Sequence, residues 1–295
     1  MNAPVQYMHA VNERYKSLGY TPYRWVQADD PPPWRPLAKP LSAARIGMLS
    51  TAGTYVLGQV AYHYKDDTSI REIPVSTADR DLRFSHVTEN YLVDARRDPG
   101  CVFPLSALRS LAAEGTIGQL PDRVFSCMGG VYSQRRVREE LAPSLLSAFR
   151  GQQVDAVLMV PMCPVCHQSA CLIARHLEGN GIPTVCLGSA HDILASGRAP
   201  RAVFVDYPMG HTSGKPFDRD DQLGIARSAL RALETTTLPG DIHILPHRWD
   251  ALGEWKKEAG RTRGPYTRRP RDESPQFQFE ADREAARASG ALTDT

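Results

Sequence analysis

The 295-residue sequence has no apolar run near the ~18 residues that a membrane helix needs. Its opening residues, Met1-Asn2-Ala3-Pro4, carry no basic segment followed by an apolar one. No membrane contact is expected, and the expected location is the cytoplasm. A charge excess is missing too: 35 Lys and Arg stand against 33 Asp and Glu, a formal +2, so nucleic acid is not an expected partner. Neither G-x-G-x-x-G nor G-x-x-x-x-G-K-[ST] occurs, which removes the signature of a tightly held dinucleotide or nucleoside triphosphate. The six cysteines are too few for a disulfide scaffold in a chain this long. No convincing internal repeat is found, and a chain 42% hydrophobic and 23% charged is composed like a packed globular protein.

What the chain does contain divides it into three. Residues 1–40 hold Asp29-Asp30-Pro31-Pro32-Pro33-Trp34 and two further prolines by Pro40, and read as an extended arm around a short helix near residues 8–18. Tyr20, Tyr23, Trp25 and Trp34 are costly to leave in water, so the arm is expected to pack on its own chain or on a partner subunit. Residues 41–245 alternate short apolar runs with helical periodicity and read as an α/β catalytic domain. Residues 246–295 read as a polar, Arg-rich tail, with five arginines and no acid between Arg261 and Arg271. A solvated tail is expected, with contact to a partner subunit or an anionic ligand as the alternative. Arm and tail together suggest a homo-oligomer or a second subunit.

Within the middle segment, 45–50, 124–128, 155–162, 183–188 and 201–207 read as strands, and 241–245 as one more. Helical patterns cover 104–114, 135–150, 169–178 and 220–233. Continuous apolar strands separated by helices imply a mostly parallel sheet with helices on both faces, in Rossmann- or flavodoxin-like layers. Ligands of such sheets bind beyond the carboxyl ends of the strands. The candidate tips are Thr51-Ala52-Gly53, Met128-Gly129-Gly130, Met162-Cys163 and Tyr207-Pro208-Met209-Gly210.

Four of the six cysteines, Cys163, Cys166, Cys171 and Cys186, fall within 24 positions. Cys163-Pro164-Val165-Cys166 lies where a strand turns into a helix. Unpaired amides and the positive helix end favour a thiolate there, as does a nearby histidine when protonated. Cys163, nearer the strand tip, is the expected nucleophile, and Cys166 the resolving thiol. A metal site of Zn, Cu or Fe on Cys163, Cys166, His167 and Cys171 is the main alternative. A pair of buried structural cysteines and a thioredoxin-like motif are weaker ones.

The frame Cys163-x-x-Cys166-x-x-Ser169, running into Glu178-Gly-Asn-Gly181-Ile182-Pro183, resembles the B components of glycine, sarcosine and betaine reductases and the related D-proline reductase subunit. Asp81-Leu-Arg83-Phe-Ser85-His86, the 102–118 stretch and Asp206-Tyr-Pro208-Met-Gly210-x-x-x-Gly214-Lys-Pro216 resemble further segments of that family, in order. Cys163 stands at the family's selenocysteine position, and Ser169 replaces its third cysteine.

The resemblance implies a thiol-dependent reductase that cleaves a polarised bond in a small molecule and is regenerated by an external thiol or thioredoxin-type reductant. Cys163, Cys166, His86 and His211 are then the expected catalytic residues, with Arg83, Gly129, Gly130, Ser169, Gly210 and Thr212 lining the substrate. Arg83 and His86 suit a carboxylate clamp beside a proton donor, and His211 a general acid for the leaving group. A subunit that docks on a separate catalytic chain is a further reading.

Overall fold

The structure is a computed structural model and describes residues 3–262 and 269–292. Arg263 and Arg268 of the Arg-rich stretch lie outside the described residues. Along the chain come helix α1 (Tyr7–Ser17), strands β1 (Ile46–Ser50), β2 (Thr54–Val56), β3 (Ile70–Pro74) and β4 (Leu82–Phe84), and helix α2 (Leu105–Ala113). Strand β5 (Arg123–Cys127) leads into α3 (Gln134–Arg136), a π-helical turn (Val137–Leu141) and α4 (Ala142–Gly151). Then follow β6 (Ala156–Val160), α5 (Pro164–Gly179), β7 (Thr184–Gly188), α6 (His191–Gly197), β8 (Ala202–Asp206), α7 (Arg219–Thr235) and β9 (Ile242–Arg248). Two short helices close the chain, α8 (Trp255–Ala259) and α9 (Glu280–Ala288).

Seven strands form the main sheet in the order β3-β5-β1-β6-β7-β8-β9. All pairs are parallel except β3 against β5. Side chains alternate across a strand, and β6 shows the result. Ala156, Leu158 and Val160 pack in one core with Leu108 of α2 and Leu230 of α7, whereas Val157 and Met159 pack in the other with Phe149 of α4 and Ile173 of α5. Both faces are covered, as the continuous apolar runs imply.

Several elements differ from the sequence expectation. The helix expected over 135–150 is interrupted by the π turn, because Pro143 has no N–H to give the Glu139 carbonyl. The helix expected from Ser169 begins at Pro164, which puts the cysteine motif in its first turn. Strand β3 and the antiparallel pair β2–β4 are additions the apolar pattern does not reveal.

Helix α9 of the C-terminal segment is anchored to β2 and β4. Asp282 of α9 is buried and accepts hydrogen bonds from Tyr55 Oη at 3.0 Å and Arg83 Nε at 3.1 Å, and Ala286 is fully buried. The arm packs on its own chain: Val26 N donates to Gln168 Oε1 at 2.7 Å, and Met8 N to Asp192 Oδ2 at 2.8 Å. Trp34 lies 4.0 Å from the guanidinium of Arg201, which is itself paired with buried Glu178 at 2.9 Å.

Candidate active site

From β1 the chain moves to β5 on one side of it and then returns to β6 on the other. At such a reversal the loops after neighbouring strands part and leave a crevice. Three of the four expected strand tips meet there: Thr51 after β1, Gly129-Gly130 after β5 and Cys163 after β6. Cys163 has extended backbone, φ −110° and ψ 170°, and is the N-cap of α5. Its sulfur takes the place of the usual capping oxygen and accepts the Cys166 N–H at 3.2 Å.

The two sulfurs lie 2.9 Å apart and are not joined in a disulfide. His86 reaches Cys166 from the β4 side, with Nε2 3.2 Å from the sulfur. Which nitrogen carries the proton follows from the other contact. The backbone N–H of Thr88 donates to His86 Nδ1 at 3.1 Å, and the Thr88 hydroxyl lies 2.7 Å from the same atom. Since a backbone amide can only donate, Nδ1 is bare, Nε2 bears hydrogen, and Cys166 Sγ is its acceptor.

The electrostatics of the pair divide accordingly. Burial raises the Cys166 thiol, but hydrogen bonding from Cys163 and from His86 outweighs it and holds Cys166 well below the ordinary thiol range. Cys163 goes well above that range, through burial, its hydrogen bond to Cys166 and the Cys166 charge. The resting pair therefore carries its negative charge on Cys166 and its shared proton on Cys163.

Glycine is required in the wall opposite. Gly129 has φ +34°, and a Cβ there would lie 2.3 Å from Thr51 Cβ and 3.0 Å from Cys166 Sγ. A Cβ on Gly130 would lie 3.1 Å from His86 Nε2. Ser169, one turn beyond Cys166, donates to the Gly129 carbonyl at 2.7 Å and fixes this loop. Thr51 accepts the Met162 N–H at 3.2 Å and so ties two tips together. Gly129, Gly130 and Ser169 are thus gathered at the sulfur pair through wall and backbone contacts.

Other expected residues fall elsewhere. His167 Nδ1 hydrogen-bonds the Cys163 carbonyl at 2.7 Å while Nε2 accepts the Ser189 N–H at 2.8 Å. Burial lowers it to about 4, so it is a neutral strut with no nitrogen left for a metal or for positive charge beside the thiol. Cys171 faces Gly197 of α6, and burial raises it to about 12. Arg83 is committed to Asp282 and to the Arg80 and Leu82 carbonyls, joining β4 to α9.

His211 pairs with Asp94 at 2.9 Å and lies 4.6 Å from the Trp249 ring. Gly210 N donates to the Met162 carbonyl at 3.4 Å, and Thr212 Oγ1 to that of Pro161 at 2.7 Å, so both brace the strand tip that carries Cys163. Among the described residues, the one group of three or more His, Cys, Asp or Glu ligand atoms that could hold a metal is His86, Cys163 and Cys166, all within 4.8 Å of one another. That set keeps two residues of the expected metal site and loses His167 and Cys171.

Three contributors were not among the residues expected from the sequence: Thr88, Tyr91 and Tyr132. Thr88 had a local signal, since a hydroxyl residue two positions after His86 can turn back onto the ring. Tyr91 and Tyr132 line a cavity of about 100 Å³ that opens onto Cys163. Among the described residues no helix is long and apolar enough to cross a membrane.

No family model matches the chain, and no solved structure does. Among curated proteins it is 30% identical over 227 residues to D-proline reductase subunit gamma of Acetoanaerobium sticklandii, covering 77% of this chain and 93% of that one. It is 26% identical over 233 residues to glycine reductase complex component B subunit gamma of Symbiobacterium thermophilum, covering 75% of this chain and 52% of that protein. Betaine reductase complex component B subunit beta of Peptoclostridium acidaminophilum is 25% identical over 122 residues, 40% of this chain and 28% of that subunit. The match to the glycine reductase subunit thus spans about half of its length.

Proposed function

The chain belongs to the family of D-proline reductase subunit gamma and the glycine, sarcosine and betaine reductase B subunits, and from that premise we propose that it is a thiol-dependent reductase subunit acting on a small molecule with a polarised bond. The observation that carries the reading is the contact chain Thr88–His86–Cys166–Cys163, which ends on the one of the two sulfurs that borders the cavity.

Access selects Cys163 as the attacking atom, whereas charge rests on Cys166. The two are reconciled by the 2.9 Å hydrogen bond between them. Cys166 takes the Cys163 proton as general base, and the new Cys163 thiolate keeps the amide of Cys166 as donor at the helix N-terminus. Cys163 then attacks the substrate carbon, forming S–C while the leaving group departs with the bonding pair and gains a proton. Cys166, deprotonated again, attacks the Cys163 sulfur; S–S forms, S–C breaks, and the carbon takes a proton. The substrate gains two electrons, the sulfur pair loses two, and an external dithiol restores it. Its relatives are named as subunits of complexes, and a second subunit is proposed for this chain also.

The test is a turnover measurement with a dithiol reductant, using D-proline and glycine first because the relatives' names supply them. Oxidised dithiol appearing with substrate, and lost in Cys163→Ser, is the expected result; unchanged turnover in that variant refutes the assignment.

A second reading follows from the His86–Cys163–Cys166 grouping: a soft metal ion held by the three, with a fourth position open to substrate. Elemental analysis of protein purified without chelator separates the two. About one ion per chain, lost in Cys166→Ser, supports the metal reading, and none supports the bare sulfur pair.

A further inference from the structure

Attack by Cys163 needs a proton for the departing group and a second one for the carbon, and the resting sulfur pair holds a single proton. A group that departs into a cavity of about 100 Å³ takes its proton from a donor within reach. Most of the polar groups that line this cavity are already used. The Thr88 hydroxyl is turned onto His86 Nδ1 at 2.7 Å. The Tyr15 and Tyr132 hydroxyls bond each other at 3.0 Å. The Arg14 guanidinium does not give up a proton, and the Asn90 carboxamide is no acid. Among the described lining residues, that leaves the Tyr91 phenol.

Tyr91 ends the short turn Glu89–Tyr91, and its N–H donates to the Thr88 carbonyl at 3.1 Å. Its own carbonyl is pressed against Gly210, where a Cβ would lie 2.2 Å from the Tyr91 oxygen. Gly210 N in turn donates to the carbonyl of Met162, the residue before Cys163, at 3.4 Å. The Tyr91 ring is partly buried between two apolar clusters, one holding Cys163 and Cys166 and the other Tyr7, Ile193 and Met209. The phenol is thus fixed by packing on two sides while it borders the same cavity as Cys163. The Asn90 side chain hydrogen-bonds it in the sense that stabilises the ionised form, so the amide donates and the phenol oxygen accepts. The phenol hydrogen is left for a group in the cavity. Burial and the charge of Cys163 raise Tyr91 to about 12, which keeps that hydrogen in place until a stronger base forms beside it.

We infer that Tyr91 is the catalytic acid of the first step, giving its phenol proton to the departing group as Cys163 attacks. The inference rests on the proposed attack by Cys163 and supplies the donor that this step requires. S–C forms, the bond to the leaving atom breaks with its electron pair going to that atom, and the atom takes the Tyr91 proton. The Asn90 amide stabilises the phenolate until water reprotonates it. The proton held by Cys166 is the one the carbon takes when S–S forms.

Iodoacetamide and propylene oxide test it. Both join a carbon to the thiolate sulfur, but iodide leaves without a proton whereas the epoxide oxygen needs one. The rates at Cys163, followed by peptide mapping in the full chain, give the ratio of epoxide to iodoacetamide reaction. Tyr91→Phe keeps the ring and its packing and is expected to lower that ratio roughly a hundredfold, the lower end of what a positioned general acid contributes. In the wild type, deuterium oxide is expected to slow the epoxide reaction more than the iodoacetamide reaction, and Tyr91→Phe to abolish the difference. An unchanged ratio in Tyr91→Phe overturns the inference, including where both rates fall together because the loop has shifted, or where Cys166 serves as the acid. Equal solvent isotope effects in the wild type overturn it without any variant, as does an epoxide that fails to react where iodoacetamide succeeds. Failure of iodoacetamide to modify wild-type Cys163 overturns the reactive-thiol reading itself, and this inference with it.

Discussion

Replacement of His86 by Phe removes a hydrogen-bond donor that reaches Cys166 from outside the cysteine motif. The ring fills similar space, but the Nε2–H that lies 3.2 Å from the sulfur is lost. A hydrogen bond to a charged group is worth about 1.5–3 kcal/mol, and one pKa unit corresponds to about 1.4 kcal/mol. The Cys166 midpoint is therefore expected to rise by about 1–2 units. The assay is the pH dependence of thiolate ultraviolet absorbance, paired with the pH dependence of iodoacetamide modification. Thr88→Val is the control: it removes the hydroxyl and leaves the backbone N–H that fixes the imidazole tautomer, so a smaller rise is expected. An unchanged midpoint in His86→Phe refutes the reasoning, as does a wild-type pair that titrates no lower than an ordinary thiol.

Gly129→Ala is expected to destabilise the fold by about 2–4 kcal/mol, from overpacking against Thr51 and strain at positive φ. Gly115→Ala, with φ +73° and nothing within 4 Å of the new Cβ, carries only the strain of about 1 kcal/mol; equal denaturant midpoints for the two variants contradict this. His167 is held neutral down to about 4, against about 6.5 in the unfolded chain, so its stabilisation is full above pH ~6.5 and is lost as pH falls toward 4. The total is about 3 kcal/mol, read as extra proton uptake on acid unfolding. At the other end, Cys101, Cys127, Cys163, Cys171 and Cys186 are all raised by burial, so each contributes stability below pH ~8.5 that is lost as pH rises toward its folded value. The five together give a slope that climbs from about 3 kcal/mol per pH unit at pH ~8.5 toward about 7 near pH 10, and alkaline melts with a slope of one thiol contradict it.

The inner strands of the main sheet are legible in the sequence because they are buried on both faces. β6, β7 and β8 read as unbroken apolar runs, and their tips follow. Strand β3 escapes because it is an edge strand that buries only Ile73 fully, and β2 and β4 because three residues carry no period. Helix α9 looks like a solvated tail by composition; what orders it is the buried Asp282, whose partners Tyr55 and Arg83 lie about two hundred positions away in the chain.

At the site, the cysteine motif and its place at a strand-to-helix turn are visible locally. His86 enters only through the resemblance of 81–86 to a known family. No local signal says which sulfur holds the charge, since that depends on a histidine 80 residues earlier whose tautomer is set by Thr88. His167 shows the opposite case: its spacing suits a ligand, and the fold uses both ring nitrogens on the backbone.

Trapping with a small disulfide tests the division of labour between the two sulfurs most directly. Reduced wild type is mixed with a symmetric disulfide, alongside Cys163→Ser and Cys166→Ser, and the products are mapped by mass spectrometry. The account predicts a Cys163–Cys166 disulfide in the wild type, a stable mixed disulfide on Cys163 in Cys166→Ser, and little reaction in Cys163→Ser. A mixed disulfide that forms on Cys166 in Cys163→Ser as fast as on Cys163 in Cys166→Ser contradicts it.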